Sequence, residues 1–147
     1  CCLMHMRGEP RTMQADPQYE SVVTDVRAYL GGRIAACEAA GIPRERICVD
    51  PGIGFGKHPE HNLALLAALD RLAEPGIPVL VGVSRKSLLG IITGRPTGER
   101  LAGSVALAAL SVMRGAAIIR AHDVAATVDA VKVASALRRA ATGGDGR

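Results

Sequence analysis

Apolar and polar positions along this chain follow two periods. Consecutive apolar, β-branched-rich runs at Ile47 to Val49, Val79 to Val83 and Ala117 to Ala121 read as short strands. Between them lie longer stretches with apolar residues three and four apart, which read as helices packed on one side. Tyr19 to Ala40 carries Val22, Val23, Val26, Tyr29, Leu30, Ile34 and Cys37, and Gly41 and Pro43 close it. Pro59 to Ala73 presents Leu63, Leu66, Leu69 and Leu72 as its core side and is ended by Pro75-Gly76. A short helix from Ser87 to Ile92, a turn from Gly94 to Gly98, and an Ala-rich helix from roughly Glu99 to Met113 come next. Val124 to Ala140 forms the last helix, which Asp123 is placed to cap. The chain opens on one more apolar run, Cys1-Cys2-Leu3-Met4, followed by a polar loop from Arg7 to Pro17. The order is four successive βα units.

The strand ends recur at nearly one spacing. From Met4 to Asp50, Ser84 and Arg120 the steps are 46, 34 and 36 residues, the length of a strand plus its return helix. Polar residues at those ends should gather at one rim of a parallel sheet. The predicted fold is α/β, the last four βα units of a TIM-type (β/α) barrel over residues 1–141, with 142–147 a disordered tail. An open α/β sheet competes, but it needs a topological switch and usually a dinucleotide fingerprint. Gly52-Ile53-Gly54-Phe55-Gly56 lacks the third-glycine spacing, and Pro51 and His58 break the P-loop pattern.

Composition narrows the function classes. With 147 residues, 48% of them hydrophobic, the chain can bury one core, and Tyr19, Tyr29 and Phe55 are its only aromatics. The net charge of +4 comes from arginines dispersed among acids, which suits solvated helix faces better than a nucleic-acid patch. Leu101 to Ile119 is interrupted by Gly103, Ser104, Ser111, Arg114 and Gly115, so no membrane span is expected. Cys1, Cys2, Cys37 and Cys48 show no zinc spacing and read as reduced packing residues of a cytoplasmic protein. The opening on a strand, without an initiator methionine or a secretion signal, suggests a fragment.

Candidate chemistry lies at the strand ends. Side chains two apart on a strand share a face, so Ser84 pairs with Lys86 and Arg120 with His122, each just before a helix. A hydroxyl, two cations and helix N-termini suit a small anion, and the last barrel strands are its usual place. His122 can also move a proton near neutral pH. The structural alternatives are a rim ion pair of Arg120 and His122 with Asp123, and a solvated strand end for Lys86. Asp50 follows a buried strand, where an unpaired carboxylate is costly. It needs donors from a neighbour such as Lys86 or from a ligand, and would accept the amidine-like N–H edge of a heterocycle; an Asx-Pro turn is the alternative. Met4 and Phe55 are core by default, or apolar walls for such a ring. His5, His58 and His61 have no ligand spacing.

At these residues the chain resembles dihydropteroate synthase, the folate-pathway enzyme that sulfonamides inhibit. The matching segments are Leu3-Met4-His5-Met6 with Thr12-Met13-Gln14, Asp50 to Lys57 with His61-Asn62, Gly82-Val83-Ser84-Arg85-Lys86-Ser87, and Ile119-Arg120-Ala121-His122-Asp123, in the family's order. The resemblance implies condensation of 6-hydroxymethyl-7,8-dihydropterin diphosphate with p-aminobenzoate. By position, Asp50 and Lys86 would hold the pterin with Met4 and Phe55 beside it. Arg120 and His122 would bind diphosphate, with Lys86, Arg120 and His122 as the catalytic groups. Ser84 and Arg85 would border p-aminobenzoate. Lys57 and Asn62 belong to the motif without a role assigned to them. The resemblance also implies magnesium, whose protein ligand lies in the absent first half, so no metal ligand is expected here. It further implies a homodimer. Half a barrel exposes strand edges, so self-association is expected, and the chain alone should catalyse little. The competing readings are a pterin-binding methyltransferase domain and a non-catalytic half-barrel fragment.

Overall fold

The computed structural model describes residues 1–72 and 76–142. The elements, in order, are β1 (Cys2–Met4), α1 (Val22–Ala39), β2 (Cys48–Asp50), α2 (Pro59–Ala67), β3 (Leu80–Gly82), α3 (Ser87–Thr93), α4 (Leu101–Met113), β4 (Ile118–Arg120) and α5 (Val124–Thr142). β1 pairs with β2 and β3 with β4, all parallel, and a parallel bridge between Val49 and Val79 joins the two pairs. The strands thus run in sequence order, as in half of a (β/α) barrel.

The register decides which residues share a face. Leu3 lies opposite Val49, and Val81 opposite Ile119. These four form the row that packs against the helices, where Val49 and Val81 are completely buried. Met4 lies opposite Asp50, and Gly82 opposite Arg120, so by the two-residue period they belong to the other face. On that face Cys2, Met4 and Ile118 are exposed, where a closed barrel would bury them.

Helix ends follow their caps. α1 stops at Ala40 because Gly41 takes a left-handed φ of 84°, which lets the Ile42 N–H return to the Cys37 carbonyl at 3.0 Å. Gly115, at φ 100°, closes α4 in the same manner, with Ala116 N–H on the Ser111 carbonyl at 2.9 Å. The core row of α1 is Val22, Val26, Leu30, Ile34 and Cys37. Tyr29, expected in that row, is 43% exposed and meets His5 edge-on at 5.0 Å.

Several expectations need correction. α2 ends at Ala67 and tightens into a 3₁₀ turn over Leu69–Arg71; Leu66, Leu69 and Leu72 are buried as expected, whereas Leu63 is exposed because the packed stripe starts at Asn62 and Leu65. Cys1 and Cys2 are exposed and Cys48 half-buried, because they occupy the chain start and the inner face; only Cys37 is a buried packing residue. All four thiols are free, and burial beside Cys48 raises the Cys2 thiol to about 11. The predicted end of the second helix at Ala73 to Pro75 and the predicted tail at 143–147 lie outside the described residues, while Thr142 is the last residue of α5. None of the described helices is long and apolar enough to cross a membrane.

Candidate functional site

The polar strand ends do converge. Ser84, Lys86, Arg120 and His122 line one small cleft of about 120 Å³, together with Gly82 and Ala121. Gly82 creates room there: a Cβ on it would stand 2.9 Å from Arg120 Nη2, so the bare strand lets the guanidinium lie across β3. Ser84 is buried, and its Oγ accepts the His122 backbone N–H at 3.2 Å and lies 3.1 Å from His122 Nδ1. Burial lowers the Lys86 ammonium from its ordinary range, the nearby Arg120 charge adds to that, and Asp50 opposes it. The Lys86 and Arg120 charges facing one cleft repel each other, and an anion between them relieves that repulsion.

Asp50 sits at the other side of Lys86. It is buried, and its Oδ1 accepts the Gly52 N–H at 2.7 Å, so the Asx-type turn does form. Its charge also helps Lys57 and Lys86 keep their protons against burial. Lys86 Nζ donates to the Ile53 carbonyl and lies 4.5 Å over the Phe55 ring, a cation–π contact that holds the half-buried Phe55 beside the carboxylate. Met4 is exposed at the rim next to Asp50. The carboxylate, ammonium, guanidinium and imidazole therefore share one end of the sheet.

The alternative rim pair did not form. Asp123 is engaged by Arg85, whose Nη2 and Nε donate to its two oxygens at 2.6 and 3.1 Å. That pairing lowers the Asp123 carboxyl and raises Arg85 further. It is the Asp123 backbone carbonyl that starts α5, accepting from Thr127 N–H and Oγ1. Arg85 has a left-handed φ of 59°, uncommon for a residue other than glycine, and its N–H is held by Ser104 Oγ at 2.9 Å. Arg100 adds a second anchor, donating to the Arg85 carbonyl at 3.0 Å and the Lys86 carbonyl at 3.3 Å.

Sequence reasoning left the interior of the glycine loop without roles. Lys57 is 3% exposed, yet its Nζ lies 3.0 Å from His5 Nδ1 and donates to the carbonyls of Gly52 at 3.0 Å and Phe55 at 2.9 Å. Burial first, then Lys86, pull its ammonium down to about 8 against the pull of Asp50. Asn62 on α2 accepts the Gly54 N–H at 2.7 Å and donates to the carbonyls of Lys57 and His58 at 3.3 and 2.9 Å. Tyr19 bonds the Gly56 carbonyl at 2.7 Å. The signal for these residues was the glycines themselves, since a loop without side chains leaves carbonyls that something must satisfy.

A larger cleft, about 440 Å³, lies elsewhere among the described residues, between β4 and α5, lined by residues such as Val112, Ile119, Val128 and Val131. Its apolar lining beside the free edge of β4 marks a packing surface.

Comparison with known proteins agrees with this geometry. A family model described as pterin binding enzyme matches residues 1–122. The dihydropteroate synthase of Neisseria meningitidis serogroup B is 56% identical over 140 residues, covering 92% of this chain and 49% of the relative. That of Escherichia coli K12 is 49% identical over 135 residues, covering 92% and 48%. Among solved structures, Burkholderia cenocepacia dihydropteroate synthase complexed with 7,8-dihydropteroate superposes with a TM-score of 0.87 at 55% identity, covering 97% of this chain and 54% of that one. A Yersinia pestis dihydropteroate synthase with a sulfonamide drug complex gives 0.91 at 46% identity, covering 95% and 51%. The chain spans about half the length of the curated relatives it matches.

Proposed function

The chain belongs to the family of pterin-binding enzymes, and from that premise we propose that it carries the pterin and diphosphate side of a dihydropteroate synthase site. The reaction joins 6-hydroxymethyl-7,8-dihydropterin diphosphate to p-aminobenzoate. The aromatic amine attacks the pterin methylene, the C–O bond to diphosphate breaks with its electron pair on oxygen, and the nitrogen sheds a proton. In this reading Asp50 accepts the N–H edge of the pterin, Lys86 and Phe55 flank the ring, and Met4 closes its rim. Arg120 and His122, with Lys86 nearby, stabilise the charge that builds on the departing diphosphate. Arg85 and Ser84 border p-aminobenzoate, and the Ser84 hydroxyl also steadies the His122 ring. The solved relative complexed with 7,8-dihydropteroate supports the ligand class.

One observation carries the proposal: three basic side chains and a hydroxyl from two strand ends face a single cleft beside a buried carboxylate. A methyltransferase domain would also grip a pterin through a strand-end acid, but a methyl donor gives it no diphosphate to hold. Titrating pterin diphosphate and the bare pterin into wild type and Arg120→Ala tests the choice. A charged contact is worth about 1.5–3 kcal/mol, so the variant should lose roughly 10- to 100-fold for the diphosphate ester and little for the bare ring. Equal affinities for the ester would overturn the synthase reading.

The magnesium implied by the resemblance finds no ligand set here. Among the described residues no three His, Cys, Asp or Glu side chains cluster closely enough to hold a metal. No step above is routed through it. We also propose a homodimer in the cytoplasm. Exposed Leu110, Met113, Val133 and Leu137 on α4 and α5 support pairing of copies, and the free thiols suit a reducing compartment.

A further inference from the structure

Among the described residues one residue other than glycine has a positive φ, and it lies between two groups of the anion cleft. Arg85, at φ 59°, follows Ser84 and precedes Lys86, and both of those line the cleft with Arg120 and His122. A left-handed turn there swings the chain from β3 into α3, keeps Ser84 and Lys86 on the cleft, and sends the Arg85 side chain away to Asp123. An arginine left to itself prefers the right-handed and extended regions by roughly an order of magnitude, because its Cβ crowds the following carbonyl. Something must therefore hold the turn.

The holding groups come from the start of α4. Ser104 is 2% exposed, and its Oγ accepts the Arg85 N–H at 2.9 Å. On the other side of the same residue, Arg100 Nη1 donates to the Arg85 carbonyl at 3.0 Å and to the Lys86 carbonyl at 3.3 Å. The two holds are tied together, since the Ser104 hydroxyl gives its own proton to the Arg100 carbonyl at 2.7 Å. Room for the guanidinium comes from Gly90 on α3, where a Cβ would collide with it. A glycine inside a helix is unfavourable by itself, and here the passage of Arg100 to the corner explains it.

We propose that Ser104, backed by Arg100, is a positioning residue for the anion cleft: it holds Arg85 left-handed and so keeps Ser84 and Lys86 turned toward the diphosphate. This rests on the diphosphate reading above and deepens it. Ser104 acts through the Arg85 backbone. Without that acceptor the corner samples the conformations an arginine prefers, and only the fraction that stays left-handed binds with full affinity.

Ser104→Ala, Arg85→Gly and the double variant of the 147-residue chain test it by titration with inorganic diphosphate, with folding checked by circular dichroism. Ser104→Ala changes no charge, so its effect reports the corner, and affinity should fall about three- to tenfold. Glycine adopts the left-handed region without steric cost, so with Arg85→Gly in place the same substitution should change affinity by less than about twofold. A loss of equal size in both backgrounds marks a merely structural role and overturns the proposal, as does full affinity in the folded Ser104→Ala chain. Should Ser104→Ala not fold, Ser104→Cys, close in size but a poor acceptor, decides by the same comparison. Wild type that takes no diphosphate overturns the diphosphate reading itself, and this inference with it.

Discussion

At the scale of single residues, His5 and Lys57 form a buried pair in which burial and then the lysine charge hold the histidine neutral. The Lys57 ammonium lies 3.0 Å from His5 Nδ1, so that nitrogen accepts and the ring proton sits on Nε2. Burial first, then the Lys57 and Arg7 charges, lower the His5 imidazole from 6.5 to about 4. The unfolded chain then binds the extra proton between those values, so stability is complete above pH 6.5 and is lost as pH falls toward 4. The loss amounts to at most about 3 kcal/mol at one unit per 1.36 kcal/mol. Urea unfolding at pH 7 and pH 4.5 should show it, and His5→Asn, which keeps an acceptor but cannot titrate, should flatten the difference. An unchanged difference in the variant refutes the assignment. Asp50, Lys86, Arg120 and His122 were legible in the sequence because each ends an apolar run, and alternation on a strand says which neighbours share a face. Lys57 was not, because a lysine in a glycine-rich loop reads as solvated. Its burial depends on carbonyls that only the folded loop brings together. The Arg85–Asp123 pair was equally hidden, since it spans 38 residues and competes with an N-cap role that sequence alone favours.

At the scale of elements, the strands carry more information than their three-residue lengths suggest. Register places Gly82 opposite Arg120, and the missing side chain there is a vacancy that the guanidinium fills. Gly82→Ala would put a Cβ 2.9 Å from Nη2, the far end of a flexible side chain, so the guanidinium must swing away while the backbone stays. Diphosphate affinity should fall several-fold with the melting temperature within a few degrees of wild type. A variant that binds diphosphate as wild type does would show that Arg120 does not need this path across β3. Gly52 behaves differently. Its φ is 69°, and a Cβ would collide with the His5 carbonyl, which is backbone and cannot yield. Existence and order of the elements were readable from periodicity alone, as was the run of strand, loop and helix around each site residue. The packed side of α2 was readable in large part, since Leu66, Leu69 and Leu72 are buried; of that leucine series Leu63 alone is exposed, because a strict three-residue spacing drifts off a 3.6-residue helix and the stripe passes through Asn62 and Leu65 instead.

At the scale of the whole molecule, the same sheet that gathers the site leaves its inner face open. Met4, Ile118 and Cys2 on the inner face are exposed, and so are Val124, Val128, Val133 and Leu137 on α5. Solved relatives about twice this length superpose on nearly all of it, so the fold of the segment does not depend on a different arrangement of its units. The site does depend on enclosure. Arg120 and His122 are exposed, and charges facing water stabilise a leaving anion far less than the same charges in a dry cavity. Binding is therefore expected to outlast catalysis in this chain. The anion cleft needs only the ends of β3 and β4, and the glycine loop the ends of β1 and β2 with α2 and Tyr19, whereas turnover needs the reacting methylene and the amine held together and shielded. The purified 147-residue chain should bind pterin diphosphate measurably and scatter light as a species heavier than its 15.3 kDa monomer. Its release of diphosphate in the presence of p-aminobenzoate should stay at background. Sustained turnover by a mass-verified preparation would show that an open half-site suffices, and a stable monomer would show that the apolar faces of β4 and α5 tolerate water.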